Sequence, residues 1–474
     1  MEHPFEGCRQ VTLEEMLDAR ERRALEQRAF LAHWGGPLIS FTLIIPGEYK
    51  VFPLARRAFV EGTTGIEKQL HRHGIPINGR WYRDAHTGEM AFFAAAGDTG
   101  LLKTLMVELE DRHPLGRLFD IDVLDKNGVG LHRTCFGGRE RTCLICGKPV
   151  WKCSRSRVHD AEELARRVVF IMETYFQKQY AGIIAKHALK ALLFELGITP
   201  KPGLVDRSNS GAHEDMDYFT FVNSAAALVP YFYRVTLESQ GYQGESESLL
   251  ASLGFYGQEA EETMNAETGG VNTHKGLIFS LGIMCAALGY LHGQGLPVTV
   301  DTVLALCGRI AAPGLAKLDQ GHTSAKVQTH GEKVYAVHGI RGIRGEAAAG
   351  FPSLALYGYP LLSALLNQGY SANDAGVILL LHLLAQVQDT NILYRAGINA
   401  LEEIQKQVQD FLARESDPEE LLAFARDLDQ DFIRRHISPG GCADLVALSF
   451  MLYFCVETTP EKKVHPDPTP GSPA

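Results

Sequence analysis

The amino-acid sequence changes texture near residue 161, and that change limits the fold more than any other feature. Downstream, segments rich in Ala, Leu and Glu follow one another at 161–196, 215–238, 274–291, 299–311, 353–368, 371–388, 399–413, 418–435 and 442–456. Several place apolar residues at helical spacing and strand signals are scarce, so this part is expected to be all-α. Upstream, strand and helix signals alternate. Residues 12–33 read as a charged helix, with Thr12 as its cap and Glu14 and Glu15 in its first turn. The run Pro37–Pro46 is apolar, β-branched and bounded by prolines, which predicts a buried strand. Helices at 54–73 and about 98–110 and short strands at 90–95 and 118–124 complete the pattern of an α/β or α+β layer domain. The expected division is therefore residues 1–165, then an all-α domain at 166–457, then a Pro-, Lys- and Ser-rich tail at 458–474 that should be disordered. No Gly/Ser linker lies near 165, so the two parts should be joined through a helix.

Composition excludes several classes of function. The chain is 45% hydrophobic and 22% charged, which rules out a disordered or fibrous protein. A net charge of −10 argues against a general nucleic-acid binder while leaving room for a local basic site. The longest uncharged apolar runs, around Val377–Leu381 and at Leu445–Val456, fall short of the ~18 residues that span a bilayer, so no membrane segment is expected. The start, Met1-Glu2-His3-Pro4, lacks the basic and apolar regions of a signal peptide. Nine cysteines, three of them within eleven residues, suit a reduced cytoplasm and a metal site better than a disulfide framework.

In the first part, the stretch His113–Val123 places Asp120 and Asp122 one residue apart on a predicted strand. Alternate strand residues share a face, so the two carboxylates converge. Such a pair suits magnesium, which takes hard oxygen ligands and bridges to phosphates, and supports in-line nucleotidyl transfer with Arg117 neutralising a triphosphate. The plainer reading is a strand end with two solvated acids. Between Leu131 and His159 seven basic residues (Arg133, Arg139, Arg141, Lys148, Lys152, Arg155, Arg157) face one acid, Glu140, which is either a phosphate-binding patch or a solvated loop. The same segment carries Cys143, Cys146, Cys153 and His159, the donor set of a tetrahedral structural zinc, or else a group of reduced thiols.

In the second part, Lys201–Asp217 is dense in ligand residues: Asp206, Asn209, His213, Asp215 and Asp217. A helix starting near His213 or Glu214 would put His213 and Asp217 on one face. So many acids favour a magnesium–nucleotide site over capping acids alone. Four other Gly-rich junctions resemble it: Asn272, His274 and Lys275 at a helix start; Arg341 and Arg344 flanked by glycines and followed by Glu346; Asp389, Asn391 and Arg395; and Ser438–Asp444. Each alone fits a capped helix terminus, whereas together they point to a shared pocket with anion-binding N–H groups.

At these residues the chain resembles a pair of known families. The first ~165 residues are similar to apo-citrate lyase phosphoribosyl-dephospho-CoA transferase, through Pro37–Thr42 with Pro46-Gly47, His113–Val123, and Arg141–Cys146 followed by Cys153 and His159. The remainder resembles triphosphoribosyl-dephospho-CoA synthase, through Pro202–Asp217, Val271–Gly276 with Phe279 and Ser280, Gly339–Glu346, Asp389–Arg395 and Ser438–Leu445. One departure is Ala396, where the pattern calls for glycine; a methyl there matters only if that residue needs a positive φ.

The resemblance implies a nucleotidyltransferase-like first domain and two consecutive reactions. ATP and 3′-dephospho-CoA would give 2′-(5″-triphosphoribosyl)-3′-dephospho-CoA and adenine. The group would then pass to a serine of the apo acyl carrier (gamma) subunit of citrate lyase with release of pyrophosphate. In the first step Asp206, Asp215 and Asp217 would do metal or base work, with magnesium on the last two. Lys275, Arg341 and Arg344 would hold phosphates, and His213, His274 or Glu346 would move protons. Asn209, Asn272, Asp389, Asn391, Arg395 and Asp444 would line the substrate site. In the second step Asp120 and Asp122 would bind magnesium, and Arg117 with Arg133 would meet the triphosphate. Carrying both activities on one chain would keep the intermediate local. The rivals are a malonate-decarboxylase counterpart, and a nucleotide or ADP-ribosyl hydrolase joined to a zinc-stabilised binding module.

Overall fold

The structure, a computed structural model, describes residues 5–156, 158–319, 330–414 and 417–457. The expected tail at 458–474 and Arg157 of the basic segment lie outside the described residues. The chain forms two compact units, the first running to Phe176 and the second starting at Gln177.

In the first unit β1 (Leu38–Leu43), β2 (Ile77–Arg83), β3 (Met90–Ala95) and β4 (Phe119–Leu124) form one antiparallel sheet in the order β2-β3-β1-β4. The antiparallel pairing decides between the two expected classes in favour of α+β. Helices α2 (Pro53–Arg72) and α3 (Thr99–Arg112) cover one face, where Ile39, Phe41, Phe93, Ile121 and Val123 join their apolar sides in one core. On the other face α1 (Leu13–Trp34) sets Leu31 against Leu38, Met90 and Phe92. Strand β2 escapes sequence reading because Gly79, Arg80 and Arg83 interrupt its β pattern. Gly79 is needed there: a Cβ would overlap the Trp34 indole.

Strand β4 is an edge, and charged side chains close it. The Ile121 N–H donates to Glu110 Oε1 (3.1 Å), the Ile121 carbonyl accepts from Lys103 Nζ (2.9 Å), and the Phe119 carbonyl accepts from Arg141 Nη2 (2.9 Å). Burying acid and base side chains along an edge satisfies its backbone and denies it to another strand.

Helix α4 (Val150–Ser156) follows, and α5 (Ala161–Gly197) carries the chain from one unit into the next. The second unit is helical. Contrary to expectation, two of its helices, Lys275–Gly293 and Gly440–Glu457, are long and apolar enough by composition to cross a membrane. They pack inside the unit, with 72% and 67% of those windows buried, as helices that are apolar all round do in a large core. Helix Ser246–Glu267 is an unexpected element; Gly254 and Gly257 and its many acids mask the apolar stripe of Leu249, Leu253, Ala260 and Met264. The expected helix at 399–413 is the second half of Thr390–Leu412, which breaks at Gly397 (φ 83°). Ala396 is outside the left-handed region, so its methyl is accommodated without strain.

Candidate active sites

The Gly-rich junctions of the second unit meet around a cleft of about 780 Å³. Its wall includes His213 and Asp215 from the loop after α5, Asn272, His274 and Lys275, Arg341 and Arg344, Asn391 and Arg395, and Asp444. A smaller cavity of about 540 Å³ shares Arg341, Gly342 and Thr390 with it and reaches Glu346 and Asp389.

Asp444 lies just past the first turn of Gly440–Glu457, against the start of Lys275–Gly293. A Cβ at Gly276 would overlap Asp444 Oδ2, so this glycine lets the carboxyl sit on the other helix. Burial, then the charges of Glu195 and Asp389, push the Asp444 carboxyl well above the usual carboxylate range. Gly440 and Gly441 serve similarly: added Cβ atoms would come within 2.6 Å of Asn391 Nδ2 and 3.0 Å of Asp389 Oδ2. Asp389 is buried and ties two helix starts together, with Oδ1 accepting from Asn391 N (2.8 Å) and Ile392 N (3.2 Å) and Oδ2 accepting from Cys442 N (2.8 Å).

The two histidines differ. His213 Nε2 lies 2.9 Å from Ser438 Oγ, and burial followed by the Arg395 charge keeps the ring below its ordinary pKa. His274, 1% exposed, shares a 2.7 Å hydrogen bond between Nδ1 and Ser224 Oγ, and burial holds it down to about 3. It is therefore a neutral imidazole at pH 7, with Nε2 buried and without a hydrogen-bond partner. Lys275 Nζ pairs with Glu261 (2.7 Å), and the Asn272 side chain accepts from Lys275 N (3.2 Å). Arg395 reaches the Ala212 and His436 carbonyls, both at 3.4 Å. Glu346 is engaged by Ser353 through both its oxygens. The sequence reading passed over the buried Lys201–Glu195 ion pair and Glu261, which also line the cleft.

Three expected site residues are elsewhere. Asp206 is 2% exposed and its oxygens accept from Lys201 N, Ser208 N and Asn209 N; it shapes the loop and is not a free ligand. Asn209 is spent on Asp429 and Gly211 N. No helix starts at His213. Asp217 is the N-cap of Tyr218–Ala227, in a reciprocal capping box with Thr220, so it shares no helix face with His213. Asp217→Ala is expected to lower stability by about 1 kcal/mol, the usual value of such a cap, while leaving adenine release from ATP unchanged; denaturation with a parallel assay checks both.

In the first unit Asp120 and Asp122 do share a face of β4, opposite Thr42 and Ser40 of β1. Asp122 is pushed up by lost hydration and then by the Asp120 carboxylate. Arg141 Nη2 stands 3.8 Å from Asp120 Oδ1 and 2.6 Å from Glu110 Oε1. Arg133 pairs with Asp111, and Arg117 donates to the Thr142 carbonyl. Burial lowers Arg117, and the next largest causes are the charges of Arg141 and Arg133. Three guanidiniums and Lys103 thus meet four carboxylates, Glu110, Asp111, Asp120 and Asp122, along one edge, a dense ionic cluster in which Arg117 donates to a carbonyl oxygen. Lys103 and Glu110 are the parts of this site that sequence reading did not assign; both are ordinary helix residues until α3 packs on β4, whereas Arg141 belongs to the basic segment read above. The cysteines converge as well: Cys143, Cys146, Cys153 and His159 bring their ligand atoms within 4.8 Å of one another.

Residues 11–175 match the family of apo-citrate lyase phosphoribosyl-dephospho-CoA transferase, CitX, and residues 181–463 match CitG, ATP:dephospho-CoA triphosphoribosyl transferase. Protein CitXG of Haemophilus influenzae is 34% identical over 474 residues, covering 96% of this chain and 99% of the relative. The chain belongs to the CitXG family. Protein CitXG of Leuconostoc mesenteroides subsp. cremoris is also 34% identical, over 94% of this chain and 98% of its own. A probable 2-(5″-triphosphoribosyl)-3′-dephosphocoenzyme-A synthase of Streptococcus pyogenes is 37% identical over 283 residues, 57% of this chain and 96% of the relative. The CitX and CitG matches fall on the first and second structural units, so in this CitXG chain the β4 edge lies in the CitX part and the cleft in the CitG part.

Proposed function

We infer that the chain is a bifunctional transferase that makes and attaches the prosthetic group of citrate lyase. The observation that carries this reading is the whole-length CitXG match, with the CitX and CitG matches falling on separate structural units. In the second unit the substrates are ATP and 3′-dephospho-CoA. The 2′-hydroxyl of the dephospho-CoA ribose attacks C1 of the ATP ribose and adenine departs through an oxocarbenium-like state. A carboxyl whose surroundings favour its protonated form suits protonation of the leaving purine, and burial shifts Asp444 in that direction. His213, uncharged and in contact with Ser438, suits removal of the hydroxyl proton. Lys275, Arg341, Arg344 and Arg395 line the cleft as phosphate partners. Asp215, exposed on the cleft wall, would be a carboxylate ligand for magnesium carried by the triphosphate.

In the first unit we assign nucleotidyl transfer to the β4 edge. The carrier serine attacks the phosphate next to the ribose and pyrophosphate leaves. Asp120 and Asp122 offer two hard oxygen donors on one face, which fits magnesium. When bound, that ion would supply charge stabilisation to the attacking and leaving oxygens. Arg117, Arg133 and Arg141 hold the triphosphate, and Arg141 also screens Asp120. A cytoplasmic setting, where thiols stay reduced, belongs to the same reading.

The test is a reaction of the full chain with ATP, dephospho-CoA and apo acyl carrier subunit, followed by intact-mass spectrometry of the carrier with adenine and pyrophosphate measured together. Mass gain on the citrate lyase carrier with both products is expected, and Asp120→Asn should stop the mass gain while adenine still appears. Adenine without any need for dephospho-CoA would favour a hydrolase instead.

A further inference from the structure

We propose that Cys143, Cys146, Cys153 and His159 hold a structural zinc ion, and that this ion fixes the loop presenting Arg141 and the Thr142 carbonyl to the β4 edge. The second clause rests on the reading of that edge as the attachment site; the first does not.

The backbone forms a turn suited to a metal. Thr142 bridges Pro149, Cys143 N donates to the Lys148 carbonyl (2.6 Å), and Val150 N donates to the Arg141 carbonyl (3.0 Å). Within this small hairpin Gly147, at φ 70°, lets its N–H return to the Cys143 carbonyl (3.1 Å). The turn aims amides at sulfur: Ile145 N–H donates to Cys143 Sγ (3.5 Å), and the Lys148 N–H to Cys146 Sγ. Helix α4 then brings Cys153 back, with its Sγ 3.4 Å from that of Cys146. A tetrahedral ion with ~2.0–2.3 Å bonds places its ligand atoms roughly 3.5 Å apart, whereas a disulfide needs sulfurs about 2.05 Å apart.

His159 supplies the fourth position. Its Nε2 is buried and turned to the Cys146 sulfur without a hydrogen bond of regular geometry, a lone pair that a metal ion would fill. Its Nδ1 lies 3.2 Å from Glu163 Oε2, on the first turn of α5. A carboxylate on the far nitrogen fixes the tautomer and turns the imidazole toward a metal, as in carboxylate–histidine–zinc arrangements. Three soft thiolates select zinc over the hard magnesium expected beside Asp120. The consequence for the β4 edge follows from chain connectivity. Arg141, which reaches Glu110, Asp120 and the Phe119 carbonyl, is two residues from Cys143, and Thr142, which accepts from Arg117, is its neighbour.

The full chain, purified in reductant without added metal, is tested by elemental mass spectrometry and by cobalt replacement read as thiolate-to-cobalt charge-transfer absorption. One zinc per chain and a thiolate band are expected. Cys153→Ser and His159→Gln should each cut zinc content at least tenfold, and Glu163→Ala should weaken affinity by about 10–100-fold. Cys135→Ser, exposed and outside the cluster, should change nothing. Zinc removal should depress transfer of preformed intermediate to the carrier while adenine release persists. A chain with reduced thiols that holds no zinc even after zinc dialysis, a Cys146–Cys153 disulfide in the peptide map, or equal metal loss in Cys135→Ser would overturn the site. Full transfer activity after complete zinc removal would overturn the link to the β4 edge. Metal content is read without any activity, so failure of the site and failure of the proposed reaction are distinguishable.

Discussion

Asp444→Asn is expected to lower ATP-dependent adenine release by about 10²–10⁴-fold, the usual weight of a general acid, with the larger loss in kcat than in KM. The substitution is nearly isosteric and removes an acid whose burial is unfavourable when charged, so thermal stability should hold or rise. The pH profile separates an acid from a group that merely shapes the cleft. Burial, Glu195 and Asp389 raise the Asp444 pKa, and an acid acts while protonated. Wild-type adenine release should therefore fall as pH rises through that raised value, and the asparagine variant should lose this alkaline limb. A variant that retains activity within threefold, or keeps the limb, would remove Asp444 from the chemistry. Gly276→Ala should behave similarly for a different reason, since its methyl would displace the Asp444 carboxyl. In both variants, transfer of preformed intermediate to the carrier should be unaffected.

Glu110→Ala should be the most damaging single change in the first unit, costing about 3–5 kcal/mol, as breaking a buried ion pair does. Glu110 is 4% exposed and its Oε1 receives both Arg141 Nη2 and the Ile121 N–H. Burial pushes its pKa up, while Arg141 and the Ile121 amide pull it down, so the carboxylate is held by these partners against its own desolvation. Alanine leaves the edge amide of β4 and two cations without it, and Lys103 is itself buried. All three tryptophans, Trp34, Trp81 and Trp151, belong to the first unit, so their fluorescence during denaturant unfolding reads this unit alone. The midpoint should drop sharply while adenine release, a property of the second unit, is retained at low denaturant. An unchanged midpoint would mean the edge strand is held by its apolar face alone. Glu110→Gln, which keeps an acceptor for Ile121 N, should recover part of the loss.

Much of this molecule was legible in its sequence wherever neighbours along the chain decide the outcome. The prolines around β1, the Thr12 helix cap, the alternation of Asp120 and Asp122 on β4 and the apolar helices of the second unit are local patterns, and they stand in the structure as read. The metal-like spacing of Cys143, Cys146, Cys153 and His159 is equally local, and the fold closes it into a cluster. The departures have one cause. Asp206 and Asp217 have the composition of ligands, yet both Asp206 oxygens and Asp217 Oδ1 accept from backbone amides of their own loop and helix start. A carboxylate that caps and one that meets substrate look alike in a sequence, because both sit at polar, Gly-rich junctions. Which acids remain available is settled by long-range packing. Gly276 admits Asp444 from a distant helix, α3 lays Glu110 and Lys103 along β4, and Lys201 finds Glu195. The sequence determined the elements and the chemical types at their ends; the tertiary structure decided which ends meet, since burial and charge pairing depend on contacts between residues far apart in the chain.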